Sequence, residues 1–579
     1  MRQFFKFIFA SMLGFILSFF VLLLLLIAVV AASSSDEETE VSKNSVLHIN
    51  LNYAIKERSS KSPFEQFGLS KKMLGLNDIL ANIKSAKTDD KIKGIYIDAS
   101  SLSAGFATVE EIRNALLDFK KSKKFIIAYS EVYSQGAYYL ASVADKVYLN
   151  PEGLIDFRGF SSQVPFFKGA LEKLEIEAQV IKVGTYKSAV EPFILDKMSD
   201  PNRKQVTSFL GSLYDHFLNG VSKSRKVSKD TLFNIANNAL IRNANDAVKY
   251  KLADGLRYKD EVLDDLKSRT GVDKKKDLKS ITIEEYTATA EDKTSDNKIA
   301  VIYATGEITG GEGDEDTMGS EKISRAIRKV RFDDKIKAVV LRINSPGGSA
   351  LASDVIWREV VLTKKVKPVI VSMGDVAASG GYYIACGADS IFAEPNTITG
   401  SIGVFGIIPN MKKFFNNKLG ITFDGVKTGQ FADLGTVNRP LTDFEKSLIQ
   451  REVNNIYTGF TKKVAEGRKK TQTYVDSIGQ GRVWSGTEAL GIGLVDRLGN
   501  INDAIKSASK KAKLKDYKLV EYPSQKDLFS SLMDQSSKDV KLYFVKQELG
   551  SNYIYYEQLK AALKFSGIQT RLPFDFIIN

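Results

Sequence analysis

Thr88-Asp89-Asp90-Lys91-Ile92-Lys93-Gly94 recurs as Phe332-Asp333-Asp334-Lys335-Ile336-Lys337-Ala338, 244 positions further along the chain. At the same offset Gly136-Ala137-Tyr138-Tyr139-Leu140-Ala141 meets Gly380-Gly381-Tyr382-Tyr383-Ile384-Ala385, and Ala144-Asp145 meets Ala388-Asp389. Leu252-Ala253-Asp254 returns as Leu494-Val495-Asp496, at an offset of 242. Self-similarity at one long period means one architecture built twice. The repeat divides the chain into a first unit over 45–270, a polar junction over 271–297 and a second unit over 298–515. Residues 516–579 have no counterpart and no assigned role.

Inside each unit, short apolar β-branched runs alternate with helical patterns. Ser45–Leu51, Gly94–Asp98 and Lys124–Tyr129 read as strands in the first unit, and Ile299–Ala304, Ala338–Ile343 and Pro368–Met373 in the second. Val109–Lys121 and Ala352–Leu362 read as the helices between them, and Pro201–Gly220 and Asp443–Glu466 as longer helices further on. Continuous apolar strands joined through helices predict mostly parallel sheets covered by helices, an α/β fold.

Composition narrows the chemistry. The 579 residues include two histidines, His48 and His216, and one cysteine, Cys386. That excludes a disulfide framework within the chain and Cys/His zinc clusters, and it leaves little imidazole for a Ser-His-Asp mechanism. Cys386 reads as a small buried apolar residue. The net charge of +13 comes from dispersed lysines, so no nucleic-acid partner is expected. No cofactor and no metal are expected either.

Residues 7–32, FIFASMLGFILSFFVLLLLLIAVVAA, carry no charge and exceed the roughly 20 residues needed to cross a bilayer. Arg2 and Lys6 precede the stretch, and Asp36, Glu37, Glu38 and Glu40 follow it. Residues 1–32 therefore read as a cytoplasmic N-terminus and a single transmembrane anchor, with the remaining body extracytoplasmic. A cleaved signal peptide is the competing reading, but its apolar region would be shorter.

The two units share a scaffold but differ at a few chemically telling positions. After an apolar strand the second unit carries Ile343-Asn344-Ser345-Pro346-Gly347-Gly348-Ser349, whereas the first has no Pro-Gly-Gly near that offset. Such a turn either simply links strand to helix or turns backbone N–H groups toward an oxyanion. About thirty residues on, Ala377-Ala378-Ser379-Gly380-Gly381-Tyr382-Tyr383 places a serine between strand and helix, where the first unit has Gln135. Ser379 is therefore either a helix N-cap or an exposed nucleophile. Conversely, Lys187 of the first unit, in Lys182-Val183-Gly184-Thr185-Tyr186-Lys187, meets Ala432 of the second, while Lys182 meets Lys427. One unit offers a serine without the lysine and the other a lysine without the serine. That is the pattern a composite Ser/Lys site would leave. Ser379 would attack an acyl carbon, a neutral buried Lys187 would take its proton, and amides of Gly347, Gly348 or Gly380 would hold the oxyanion. Gly184-Thr185-Tyr186-Lys187-Ser188 lacks the spacing of a phosphate-binding loop.

Tyr186–Phe193 (YKSAVEPF), Asn344–Ser349 (NSPGGS), Ala377–Tyr383 (AASGGYY) and Thr399–Gly406 (TGSIGVFG) together resemble the long, two-repeat form of the signal peptide peptidase A (protease IV) family. The resemblance extends from about residue 45 to 515. It implies tandem ClpP/crotonase-like units and a Ser/Lys dyad made of Ser379 and Lys187, with Ser401 orienting the lysine. It further implies hydrophobic peptides, chiefly released signal peptides, as substrates. A homo-oligomer, with a tetramer expected, and a bacterial inner-membrane location with an extracytoplasmic body complete that expectation. Two other readings stay open: a crotonase-like acyl-transfer enzyme and a catalytically inactive membrane scaffold.

Overall fold

The computed structural model describes residues 2–33, 41–59, 72–287, 295–314, 317–524 and 568–572. The first unit is built on a parallel sheet of β1 (Ser45–Ile49), β2 (Ile92–Ile97), β3 (Phe125–Tyr133) and β4 (Lys146–Ile155). β5 (Glu177–Val183) leaves this sheet, while β6 (Gly255–Leu256) and β7 (Ser280–Thr282) complete it in the order β6-β4-β3-β2-β1-β7. Helices Leu76–Thr88 and Phe106–Phe119 join its central strands, as parallel connections require.

The second unit repeats the plan. β8 (Lys298–Thr305) is followed by two short strands, β9 (Glu307–Thr309) and β10 (Thr317–Gly319). β11 (Ile336–Ser345), β12 (Gly347–Ser349), β13 (Val369–Ala378), β14 (Ser390–Ala393), β15 (Ile398–Gly400) and β16 (Val404–Asn410) follow in the chain. The last are β17 (Val483–Ser485), β18 (Arg497–Leu498), β19 (Lys518–Tyr522) and β20 (Ile568–Arg571). The main sheet runs β17-β15-β13-β11-β8-β19, parallel except where β17 meets β15. β2 and β11 begin at Ile92 and Ile336, so the repeated Asp-Asp-Lys-Ile-Lys motif is a turn entering equivalent central strands.

Two boundaries differ from the sequence expectation, and for the same reason. The stretch read as a polar junction contributes β7, which pairs in parallel with β1; the stretch read as the start of an unassigned tail contributes β19, which pairs in parallel with β8. Each is an edge strand at the corresponding place in its sheet. An edge strand buries little, so its sequence stays polar and resembles a linker.

A third sheet ties the units together in the order β10-β9-β12-β20-β16-β5. β5 of the first unit pairs antiparallel with β16 of the second over its whole length, Val183 meeting Val404 and Glu177 meeting Asn410. A buried ionic cluster adds to this seam. The Arg342 guanidinium of the second unit reaches Glu57 at 2.8 Å and Glu111 at 2.6 Å, both from the first. Burial pushes the Glu111 carboxyl up, against the pull of Arg342.

The helix Arg2–Ser33 carries the apolar N-terminal sequence. Among the described residues no helix is long and apolar enough to cross a membrane. The described side chains of this helix extend only to Leu22, so anchoring rests on the sequence alone.

Candidate active site

Ser379 sits at the step from β13 into the short helix Gly380–Ala385, with φ 53° and ψ −112°. A non-glycine residue there is strained by about 1–3 kcal/mol, and such strain concentrates at functional positions. The backbone is held on both sides. The Ser379 N–H donates to Gly400 O at 2.8 Å, and the Tyr383 N–H donates to Ser379 O at 2.8 Å. The Ser379 hydroxyl makes no capping hydrogen bond, so the N-cap alternative fails. In the first unit the cap is Ser134, which accepts from the Ala137 N–H. Gln135 there binds Gly159 through both its amide nitrogen and its oxygen.

Lys187 arrives from the other unit. It follows β5 in a turn closed by the Lys187 N–H on Gly184 O at 3.2 Å. That turn rests on the second unit's segment Gly479–Val483. The Tyr186 N–H donates to Gln480 O at 2.8 Å, and a Cβ on Gly481 would come within 2.6 Å of the Lys187 backbone. Gln205, on the helix Asp200–Arg225, donates to Tyr186 O and to Ser188 Oγ and accepts from the Val483 N–H. Glu191, in the Tyr186–Phe193 motif, accepts from Ser199 and Asn202 and fixes the start of that helix. Gln205 and Glu191 carry no signal of their own in sequence, because their task is to hold a turn.

The result is a closed contact. Lys187 Nζ lies 2.9 Å from Ser379 Oγ and 3.1 Å from Ser401 Oγ, and Lys187 and Ser379 are wholly buried. Burial holds the Lys187 ammonium well below the usual lysine range, and no carboxylate opposes this. The ring of Phe405 stands 5.7 Å from Nζ as part of the apolar wall. The Ser401 backbone is fixed by its N–H on Arg482 O at 2.7 Å.

The three glycines gather beside Ser379 without being equivalent. The Gly347 N–H is engaged by Ser345 Oγ at 3.2 Å, and Gly348 pairs with Thr570 in β20. Gly380 opens the helix, where backbone N–H groups face an incoming negative charge. With φ 100°, Gly347 also brings its backbone to where a Cβ would meet Thr570 O at 2.1 Å and Gly380 N at 2.7 Å.

The histidines are elsewhere. His48 lies 3.5 Å from Asp98 and His216 3.3 Å from Glu110, both within the first unit. Cys386 is buried in the core with its thiol donating to Tyr383 O at 3.1 Å, and burial pushes its pKa up to about 12. Lys427 lies outside any strand and pairs with Asp433 at 2.7 Å, whereas its sequence counterpart Lys182 is in β5 opposite Phe405. The unit-to-unit match therefore ends before the segment that delivers the lysine.

Tandem ClpP-like units, with an activated serine position at a strand–helix step, define a serine peptidase class. The chain belongs to peptidase family S49, whose model matches twice, over residues 118–273 and 362–515, and a Clp protease model matches residues 291–399. It is 38% identical over 488 residues to Protease 4 of Salmonella typhi, covering 82% of this chain and 78% of that protein. It is 36% identical over 485 residues to the chloroplastic serine protease SPPA of Arabidopsis thaliana, covering 82% of this chain and 70% of that one. Among solved structures, a membrane-bound stomatin-specific protease matches at a TM-score of 0.26 and 17% identity, over 40% of this chain and all (100%) of its own.

Proposed function

We propose that this S49 serine peptidase works through a Ser/Lys dyad assembled from its two repeats, with Ser379 as nucleophile and Lys187 as general base. The observation that carries this is the 2.9 Å approach of Lys187 Nζ to Ser379 Oγ. A lysine is a base only when neutral, and its burial without a carboxylate partner favours the neutral amine. Ser379 adds to the peptide carbonyl as its proton passes to Nζ, and the developing oxyanion is met by amides of the Gly347–Gly348 turn and of Gly380. Lys187 then returns the proton to the leaving amine, and water repeats the sequence on the acyl-enzyme. Ser401 orients Nζ through its hydroxyl.

Hydrophobic peptides, chiefly released signal peptides, are the proposed substrates. The proposed location is a bacterial inner membrane, with residues 7–32 as anchor and the body extracytoplasmic. Assembly into a tetramer belongs to the same proposal, and light scattering of the detergent-solubilised chain tests it. Neither acyl transfer from a CoA ester nor a scaffold role accounts for a buried lysine held against a strained serine. A serine-directed fluorophosphonate probe, followed by peptide mapping, tests the assignment: modification at Ser379 supports it, and modification at Ser349 overturns it.

A further inference from the structure

The slot between β12 and β16, the two strands that flank the dyad, is filled by the chain's own C-terminal segment. β20 runs antiparallel to β12, with Gly347 opposite Arg571, Gly348 opposite Thr570 and Ser349 opposite Gln569. It also runs antiparallel to β16, with Phe405 opposite Gln569 and Gly406 opposite Ile568. The Leu572 N–H extends the ladder to Pro346 O at 2.8 Å, and Thr570 Oγ1 donates to Gly348 O at 3.1 Å. Arg571 Nη1 meets Glu307 Oε2 at 3.1 Å, and Leu572 packs with Ala378, Ile398 and Val483. Gln569 to Leu572 are all buried, and Lys187 Nζ donates to the Arg571 carbonyl oxygen.

A peptide to be cut here must lie extended across Ser379, and open strand edges are how an extended peptide is gripped. β12 and β16 are those edges, and β20 occupies both. The pose is a holding one. The Arg571 carbonyl receives its hydrogen bond from the base rather than having its oxygen assigned to the Gly380 amide, and that bond ties up the amine that must receive the serine proton. A tethered strand also competes at an effective concentration that reaches the millimolar range for short linkers.

We infer that residues 568–572 are a built-in competitive occupant of the substrate groove, which must leave before a peptide can bind. This rests on the dyad reading of the site. The same contacts give the groove's register: antiparallel to both flanking strands, with Glu307 beside the residue whose carbonyl reaches Lys187.

The test uses the full chain carrying Thr570→Pro, which cannot donate to a ladder, or Arg571→Glu, which opposes Glu307. Steady-state kinetics on a fluorogenic apolar peptide are expected to show KM lowered about tenfold in each variant with kcat unchanged, as release from tethered competition requires. A synthetic peptide spanning residues 567–573 is expected to inhibit the variants competitively and more strongly than the parent. Unchanged KM in both variants, with melting temperatures equal to the parent's, overturns the inference. So does mass spectrometry showing that the parent chain ends at Arg571 in a Ser379-dependent way, because the strand would then be consumed as substrate. Ser379→Ala separates the two readings: an inactive Ser379→Ala with unresponsive Thr570→Pro defeats the occupancy alone, whereas an active Ser379→Ala defeats the dyad.

Discussion

The guanidinium of Arg342 lies 2.6 Å from the carboxylate of Glu111, across the boundary between the repeats, with both side chains wholly buried. Since one repeat supplies Lys187 and the other Ser379, this pair helps hold the register in which the two meet. Removing one partner leaves the other charge buried without compensation, which typically costs about 3–5 kcal/mol. Glu111→Ala is therefore expected to lower the midpoint of denaturant unfolding and to lower kcat as the units loosen. Replacing Glu57, Glu111 and Arg342 together by apolar residues of similar volume is expected to restore much of the stability. A denaturation series over both variants checks this, and a Glu111→Ala chain as stable as the parent would contradict it.

Activity should follow the neutral fraction of Lys187. Burial lowers its folded-state pKa from the ordinary 10.5, so the rate is expected to rise with pH through an inflection well below that value and then level off. A profile of kcat/KM against pH checks this. A maximum near pH 5 would contradict a lysine base. Lys187→Ala and Ser379→Ala should each lose activity by about a thousandfold or more, with no matching loss of fold.

Much of this was legible before the structure, and the reason lies in what was repeated. Ile92 and Ile336, or Tyr138 and Tyr382, recur because equivalent strands and helices need the same packing, so the scaffold announced itself twice. Ser379 and Lys187 stood out because each lacked a counterpart, Gln135 and Ala432 standing in their places. Interactions present only once, between parts with no periodicity, left no such trace. Arg342 with Glu111 is one example, and the pairing of Thr570 with Gly348 is another. Edge strands β7 and β19 were read as linker and tail because their few buried positions leave them polar.

The turn bearing Lys187 depends on a glycine in the other unit. Gly481 has φ 79°, and a Cβ there would come 2.6 Å from Lys187 Cα and Cβ. Both the left-handed backbone and the lack of space oppose any side chain. Gly481→Ala is expected to push Nζ away from Ser379 and to lower kcat by about a hundredfold, the scale on which a 1 Å misplacement acts. KM should change little, because β12 and β16 are not disturbed. A variant with unaltered kcat would show that the lysine is positioned independently of the second unit.

Lys187 should also be a cost to stability, and the sign of its pH dependence can be worked out. In the unfolded chain the amine titrates near 10.5, whereas in the folded protein burial lowers that value. Between the two, the unfolded state binds one proton more, so stability rises with pH across this window and the penalty is largest below the folded value. Lys187→Met keeps most of the volume and removes the buried amine, at the expense of the hydrogen bonds to Ser401 and Arg571. The net gain is expected to be about 1–3 kcal/mol at neutral pH, within the range by which apolar replacement of buried charge stabilises. Each kcal/mol should appear as about 2–4 °C in melting temperature for units of this size. The gain should shrink as pH approaches 10, where the parent no longer needs to lose a proton on folding. Calorimetry of both chains from pH 7 to pH 10 checks it; a gain that grew with pH would mean that Lys187 is buried as the ammonium and cannot serve as the base.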